Sequence, residues 1–265
     1  MQIKKYFKLK VKKFTKSDNL IYTESGYINI SRGETQKNVN YRVLQLVLQK
    51  FDKKNPLIVM DLPCGSAIFL EYLRKLFPEA TLYGADIKDI TRQPEVHFVK
   101  MDLTKDFALA SEKKFDLITS ISGVMMFGNT LRFILNCSER LKKDGTFIIT
   151  NDNSSTIIDK LAFLFLGRHR IFKPVYEDSE GLTQNIPIQE LCRLLRTNGL
   201  TIEKIVYTSF YLKDIIYAPL AILVYSIQWL YIRTYKTNLP PHLKWQMFSF
   251  KHYFCKHYII VARKC

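Results

Sequence analysis

The stretch that decides the fold of this chain is Ile58-Val59-Met60-Asp61-Leu62-Pro63-Cys64-Gly65-Ser66-Ala67. It joins a short apolar run, an acid where that run ends, and a loop of small residues that leads into a helical pattern. A second apolar run ends in an acid at Asp86, twenty-one residues after Gly65. This order and spacing are typical of a βαβ unit that binds a ribose-bearing cofactor, with the second acid on the ribose hydroxyls.

Outward from this stretch, strand-like and helix-like segments alternate. Strand patterns cover residues 57–61, 82–86, 96–100, 115–121, 146–150, 200–207 and 257–263. Helical spacing covers residues 34–51, 67–76, 130–141 and 187–197. The alternation predicts an α/β protein with a doubly wound, mostly parallel, seven-stranded sheet. The segment between the last two strands predicts a hydrophobic helical insertion.

The composition limits the classes of protein to consider. The chain has 265 residues, of which 47% are hydrophobic, enough for a full core. Its five cysteines are odd in number and form no Cys-x-x-Cys pair, which argues against a disulfide framework and against a zinc site. The N-terminus has no uninterrupted apolar segment of the secretory type. These features predict a cytoplasmic protein without a structural metal.

The formal net charge of +16 is concentrated at the two ends of the chain. Residues 1–16 carry seven lysines and no acid, and residues 211–265 carry eight basic residues against Asp214 alone. The middle of the chain is nearly neutral. A basic end attracts phosphate, either of nucleic acid or of anionic lipid head groups, although a merely solubilising surface remains an alternative.

The loop from Asp61 to Ala67 resembles the Asp-x-Gly-x-Gly-x-Gly loop of the class I S-adenosylmethionine-dependent methyltransferases. Gly65 keeps the middle glycine, whereas Pro63 and Ala67 replace the outer two. The turn at residues 141–150 also resembles the family's fifth-strand motif. The resemblance covers about residues 35–210 and the last strand. It implies a Rossmann-like methyltransferase domain over residues 35–265, with a lid at 153–185 and an apolar, basic cap at 210–255, preceded by a basic arm over residues 1–34.

The resemblance also implies a role for each matching residue, with S-adenosyl-L-methionine as the cofactor. Asp61 and the backbone of the loop would lie against the methionine end, and Asp86 would accept hydrogen bonds from the ribose. Asp102 would accept one from the adenine amino group. The implied cofactor-binding residues are Asp61, Pro63, Cys64, Gly65, Asp86, Ile87, Met101, Asp102, Leu103, Ser120 and Ile121, the last two on the sulfonium side.

Two alternatives compete with this interpretation of the acids. An acid at a strand end is often only a helix cap, and this applies to Asp102 taken alone. NAD would use the same geometry, but the glycine pattern is poorer than a dinucleotide loop needs. Three acids at the ends of three consecutive strands favour the cofactor.

The sequence identifies no general base, and the catalytic residues stay unassigned. The stretch after the fourth strand, residues 122–127, is apolar, and the chain lacks the Asn/Asp-Pro-Pro-Tyr motif of enzymes that methylate amino groups in nucleic acids. His169 lies between two arginines and fits a base or an exposed basic turn. Three further histidines, His242, His252 and His257, and the pair Asn151-Asp152, cannot be assigned.

Residues Ile215–Ile232 form an uncharged run of eighteen residues, just long enough for a transmembrane helix. Both flanking strands are expected in one sheet, which argues against a crossing. Either a buried cap over the pocket or a segment lying in a membrane surface would account for the run. Aromatic residues interleaved with lysine and arginine favour the membrane surface.

These features predict a methyltransferase for a small or lipid-linked acceptor, acting in the cytoplasm and docking at the inner membrane face. An RNA methyltransferase is an alternative that the position of the charge disfavours. A non-catalytic scaffold with a methyltransferase-like fold is a further alternative, which the two replaced glycines favour. The acceptor and the oligomeric state are not determined by the sequence.

Overall fold

The computed structural model describes residues 19–23, 26–90, 93–105, 113–126, 128–175 and 183–265. The lysine-rich run at residues 1–16 lies outside the described residues. The strands are β1 (Leu20–Thr23), β2 (Gly26–Asn29), β3 (Ile58–Asp61), β4 (Thr81–Asp86), β5 (His97–Lys100), β6 (Phe115–Ser120), β7 (Leu141–Asp152), β8 (Leu200–Phe210) and β9 (Cys255–Lys264). The α-helices are α1 (Val39–Lys50), α2 (Ile68–Leu76), α3 (Thr130–Arg140), α4 (Ile157–Leu166), α5 (Ile188–Thr197), α6 (Ala218–Thr234) and α7 (Pro241–Met247).

Seven strands form one sheet in the order β5-β4-β3-β6-β7-β9-β8. The pairs from β5 to β7 are parallel, whereas β9 runs antiparallel to both β7 and β8. The predicted doubly wound, mostly parallel sheet is therefore confirmed. The order reverses at β3, so that the loops after β3 and β6 diverge, which is where open α/β sheets bind ligands.

The core lies on both faces of this sheet. On one face α1 and α2 pack against β3 and β4, with Val43, Leu70 and Val59 among the buried side chains. On the other face α3 and α5 pack against β6, β7 and β9, with Phe133 and Leu195 at the centre. The strands alternate their side chains between these faces, which is why the central strands are apolar throughout.

The segment before the first helix differs from the sequence prediction. Strands β1 and β2 pair antiparallel with each other, and Ile21 and Ile30 are buried in the core against α1 and α2. The described part of the predicted basic arm therefore contains two paired strands, with Ile21 and Ile30 packed in the core. The helix expected from Glu34 begins at Val39, so that Glu34 and Thr35 lie in a loop.

The insertion before the last strand is helical, as predicted. It contains a 3₁₀ segment (Leu212–Tyr217), α6, α7 and a second 3₁₀ turn (Phe250–Tyr253). Residues Leu212–Thr234 form the single helical stretch in the described ranges that is long and apolar enough to cross a membrane. Two side chains of α6, Ala221 and Ile232, are buried.

Candidate functional site

The loop after β3 is held between β4 and β6 by its own backbone. The Leu62 N–H donates to the Thr119 carbonyl at 2.9 Å, and the Cys64 N–H donates to the Ala85 carbonyl at 3.0 Å. Gly65 follows with a φ of 50°, in the left-handed region that favours glycine. The retained glycine therefore stands where the loop must turn sharply from β3 towards α2.

Two carboxylates face the next backbone amides of this loop. Oδ2 of Asp86 accepts a hydrogen bond from the Gly65 N–H at 3.0 Å, and Oε1 of Glu34 lies 3.4 Å from the Ser66 nitrogen. An ionised carboxylate has about four acceptor positions, so Asp86 keeps capacity for further donors such as a pair of ribose hydroxyls. The loop is thus a set of amide donors beside an acid at the end of β4.

The carboxyl group of Asp61 lies beneath the loop and is buried. It accepts a hydrogen bond from the Thr119 hydroxyl at 2.6 Å. Burial, reinforced by the nearby charge of Asp86, raises the pKa of Asp61 to about 7 despite that hydrogen bond. A group that titrates near neutrality can hold either a proton or a negative charge opposite a cationic ligand.

A cavity of about 130 Å³ opens at this loop. Six of the predicted residues line it: Asp61, Pro63, Cys64, Gly65, Asp86 and Ile121. The remaining lining residues were not predicted: Glu34, Thr35, Asn40, Ser66, Ile68, Phe69 and Ser122. Glu34 and Thr35 reach it from the loop before α1, a contact between segments thirty residues apart that no local pattern indicates.

The other predicted cofactor residues lie outside this lining. Ile87 is exposed, Leu103 is buried in the core, and Met101 packs on the core. Asp102 is bonded locally, with its Oδ1 accepting from the backbone and hydroxyl of Thr104. These bonds form a local turn, and no helix begins here among the described residues, so they are not the helix cap that competed with the adenine role. The hydrogen bonds from Thr104 lower the pKa of Asp102. The adenine role of these residues stays a prediction.

The residues present fit a nucleoside-type cofactor with a cationic end. The remaining acceptor capacity of Asp86 suits its ribose hydroxyls, and Asp61 suits its positive charge. The hydroxyl of Ser120, at the end of β6, is buried without a partner among the described residues, so it can take a hydrogen bond from a ligand. The Glu34 carboxylate lies directly over Gly65. Because it occupies space above the loop, the cavity is large enough for only part of such a ligand.

The histidines considered from the sequence now have distinct environments. The ring of His169 stacks on Phe163, and His242 is exposed on α7. Burial lowers the pKa of His252 to about 4, so it stays neutral and turned towards the Ser249 carbonyl. None of the three lines the cavity. His257 differs: it is fully buried at the end of β9 and bonded to Asp152.

The described residues of the predicted lid (153–175 and 183–185) and cap (210–255) do not line the cavity. The two segments meet each other instead, because Ile157 of α4 packs with Ala221 of α6 and with Tyr253. Their outer faces carry exposed apolar side chains: Phe163, Leu164, Phe165, Leu166, Leu212, Ile215, Ile216, Ile222, Leu223, Ile227, Leu230 and Tyr231. We call these twelve residues the apolar surface.

A larger cavity of about 620 Å³ lies at the far edge of the sheet, between α5, α6 and α7. It is lined by residues such as Cys192, Arg196 and Met247 and shares no lining residue with the loop cavity. Burial raises the pKa of the Cys192 thiol to about 12, so this thiol is no nucleophile at neutral pH.

Comparison with known proteins matches this architecture. A family model described as a methyltransferase domain matches residues 35–205. An S-adenosylmethionine-dependent methyltransferase from Archaeoglobus fulgidus superposes with a TM-score of 0.54 at 15% identity, covering 87% of this chain and 95% of that one. An S-adenosylmethionine-dependent methyltransferase from Mesorhizobium loti superposes with a TM-score of 0.52 at 13% identity, covering 85% of this chain and 97% of that one. The [4+2]-cyclase SpnF superposes with a TM-score of 0.51 at 15% identity, covering 84% of this chain and 80% of that one. The search among curated proteins returns no match.

Proposed function

The chain belongs to the methyltransferase-domain family, whose cofactor is S-adenosylmethionine, and from this premise we propose that it methylates a small or lipid-linked acceptor at a membrane surface. The cofactor supplies a methyl group that is already activated by its sulfonium charge. The protein's own contribution is then to hold the cofactor at the loop after β3 and to bring an acceptor against it.

The observation that supports a lipid-linked acceptor is the apolar surface. Leu164, Phe165 and Ile216 are each more than 70% exposed. Monomeric soluble proteins rarely expose a contiguous apolar patch of more than a few hundred Å², and larger ones are typical of membrane or partner interfaces. A surface formed by two helices side by side suits insertion into the head-group region of one leaflet.

The position of this surface supports the same proposal. Helix α4 begins at Ile157, shortly after β7 ends at Asp152, and the ring of His257 connects Asp152 to Ser122 of the loop cavity. An acceptor with a lipid tail in the membrane could therefore present its polar head to the carboxyl end of the sheet. Arg233 lies 5.1 Å from the ring of Trp229, and Lys244 lies 5.8 Å from that of Trp245, a pairing of cations and indoles suited to a head-group interface.

The cofactor part of the proposal is tested by calorimetry with S-adenosylmethionine. We expect binding by the parent protein and a loss of about tenfold or more in affinity for Asp86→Ala, since a charge-assisted hydrogen bond contributes about 1.5–3 kcal/mol. Glu79→Ala, which removes an exposed acid at the other end of α2, is the matched control and should bind normally. Absence of binding by the parent protein would contradict the proposal.

The membrane part is tested by flotation with vesicles of phosphatidylglycerol and phosphatidylcholine. We expect the parent protein to float and Ile222→Glu/Ile227→Glu to remain at the bottom, because both side chains belong to the apolar surface. Leu131→Glu changes an exposed leucine of α3, outside that surface, and should float like the parent. If the parent protein fails to float, the acceptor is a soluble small molecule instead.

Transfer itself is measured with S-adenosylmethionine labelled in its methyl group, together with vesicles that contain a total lipid extract. Label recovered in the organic phase supports a lipid-linked acceptor. The comparison with SpnF, a cyclase, shows that this fold also carries other activities, so cofactor binding without transfer to any acceptor would favour the scaffold alternative.

A further inference from the structure

A series of hydrogen-bonded side chains leads from the loop cavity into the sheet. Ser122, which lines the cavity just after β6, has its Oγ 3.3 Å from Nε2 of His257. Nδ1 of the same ring lies 3.0 Å from Oδ1 of Asp152. Asp152 and His257 are directly opposite each other in the antiparallel pair of β7 and β9. A hydroxyl, an imidazole and a carboxylate are thus aligned at the edge of the cofactor site.

The hydrogen bonds determine which ring nitrogen carries the proton. An ionised Asp152 can only accept, so Nδ1 of His257 is the donor and a neutral ring has its lone pair on Nε2. That lone pair faces two hydroxyls, Ser122 at 3.3 Å and Thr150 at 3.0 Å. The Thr150 Oγ1 in turn accepts the Ser122 N–H at 2.9 Å. Thr150 is the nearer donor to this lone pair in the resting site, and Ser122 is the one of the two hydroxyls that lines the cavity, so a proton coming from the cavity reaches Nε2 by way of Ser122.

The backbone of Ser122 supports a role beyond packing. Its φ of 56° lies in the left-handed region, which is unfavourable for a residue with a Cβ. This conformation directs the hydroxyl both to His257 and to Thr35, whose Oγ1 lies 2.5 Å away on the other side of the cavity. Strained backbone held by surrounding structure is typical of functional positions.

Resting on the proposed function, we propose that Ser122, His257 and Asp152 form a proton relay that deprotonates a hydroxyl-bearing acceptor during methyl transfer. Ser122 contacts the acceptor, and His257 and Asp152 act through it. The acceptor's hydroxyl proton moves to the Ser122 oxygen while the Ser122 proton moves to Nε2. The acceptor oxygen forms the new bond to the methyl carbon, and the pair of the broken carbon–sulfur bond stays on sulfur.

The carboxylate of Asp152 makes this transfer feasible in a buried place. The imidazolium that forms has no access to water, since His257 is fully buried, and an unpaired buried charge is costly. Asp152 supplies the opposite charge at hydrogen-bond distance, as the acid of a serine–histidine–aspartate arrangement does. The proton returns through Ser122 to the cavity once the product has left. The relay therefore selects acceptors that must lose a proton.

The relay is tested without knowing the acceptor, by comparing two ligands of the cofactor site in calorimetry. S-adenosylhomocysteine has no group at the methyl position, whereas sinefungin carries an amine there. We expect the parent protein to bind sinefungin about tenfold more tightly, because the amine donates to Ser122. Ser122→Ala and Asp152→Asn should reduce this preference, which is the ratio of the two affinities within each variant and is therefore independent of a general change in cofactor binding.

Ser209→Ala is the matched control. Ser209 is also buried and left-handed, with a φ of 66°, and donates to the Lys37 carbonyl away from the loop cavity. It should keep the preference for sinefungin. Equal affinities for both ligands in the parent protein would overturn the relay alone. Failure of both ligands to bind would instead contradict the proposed function.

A spectroscopic measurement separates the relay from a purely structural hydrogen bond. With ¹⁵N-labelled histidine, the five rings are resolved by NMR and His257 is assigned from His257→Gln. We expect a neutral ring with its proton on Nδ1 and an Nε2 resonance that shifts when sinefungin is added. In Ser122→Ala this shift should disappear. An Nε2 that is protonated, or unaffected by sinefungin, would overturn the relay.

Discussion

At the scale of single residues, the charge of the buried acid Asp61 beneath the loop changes with pH near neutrality. It lies beneath the amides that face Asp86 and Glu34, so three acids are grouped around one small cavity. The burial of Asp61, reinforced by the charge of Asp86, explains why its pKa is raised to about 7. A cationic ligand in this cavity would favour the ionised form and lower that pKa again.

The first prediction concerns this pH dependence. Since only the ionised carboxylate attracts a sulfonium and an ammonium, the affinity for S-adenosylmethionine should rise about tenfold between about pH 6 and about pH 8. Calorimetry at a series of pH values measures it. Asp61→Asn should bind more weakly and without this slope. A parallel slope in the variant would assign the effect to another group.

The same group makes a prediction for stability. The folded pKa of Asp61 is raised above its unfolded value of 3.8, so the folded state binds more protons between these values. Its contribution to stability is therefore present at low pH and is lost as the pH rises through about 7. Asp61→Asn should raise the melting temperature at about pH 8 and not at about pH 4, measured by calorimetric scans.

At the scale of elements, the loop after β3 depends on a glycine in the neighbouring strand. A Cβ on Gly84 of β4 would lie 2.8 Å from the sulfur of Cys64, so the strand and the loop approach more closely than any side chain allows. The loop is therefore placed by contact with β4 as well as by its own turn. The loop sequence, in which Pro63 and Ala67 replace the outer two glycines of the family motif, does not predict this contact.

We expect Gly84→Ala to displace the loop and to weaken S-adenosylmethionine binding about tenfold or more, while the fold remains. Adding Cys64→Gly should restore much of the affinity, because it removes both the sulfur and the Cβ nearest to the new methyl group. Calorimetry on the two single variants and the double variant forms a complete cycle. Additive losses in the double variant would show that the two positions are independent.

A second prediction at this scale separates core helices from the apolar surface. Leu195→Ala in α5 removes a fully buried side chain and should lower the free energy of unfolding by about 2–5 kcal/mol. Leu230→Ala in α6 changes an exposed side chain and should alter it by less than about 0.5 kcal/mol, yet reduce vesicle binding. Urea unfolding measures both. A large loss for Leu230→Ala would place α6 in the core.

At the scale of the whole molecule, the proposed docking at a membrane would use the net charge of +16 and the apolar surface together. Lysine and arginine attract an anionic leaflet over about a Debye length, and the apolar side chains then insert. Five of the eight C-terminal cations belong to the same insertion as α6, so charge and apolar side chains come together in that region: Lys213, Arg233, Lys236, Lys244 and Lys251.

We therefore expect vesicle binding to need anionic lipid and to weaken markedly when salt rises from about 0.05 M to about 0.5 M. Flotation with phosphatidylcholine alone is the control. The variant Ile222→Glu/Ile227→Glu should fail at every salt concentration, because it removes the apolar part of the attraction. Tight, salt-sensitive binding of RNA with no binding to vesicles would favour the RNA alternative instead.

The sequence by itself determined the sheet, the loop and the acid of β4. The periodicity of apolar residues and the spacing from Gly65 to Asp86 are local properties of the sequence. Local backbone preferences therefore suffice to predict the strands, the turn and the helix from them. The family resemblance and its cofactor followed from the same residues, and both are confirmed. Most predicted boundaries fall within one to three residues of the observed ones, since strand ends are marked by polar residues.

Only the tertiary structure decided which side chains surround the loop and which face outwards. Ser122 and His257 are 135 residues apart, and the antiparallel register of β9 against β7 brings them together with Asp152. The uncharged run in α6 has the composition of a core helix, but in the folded chain only Ala221 and Ile232 of this helix are buried. Such placements result from packing between distant segments, which no local period or spacing encodes.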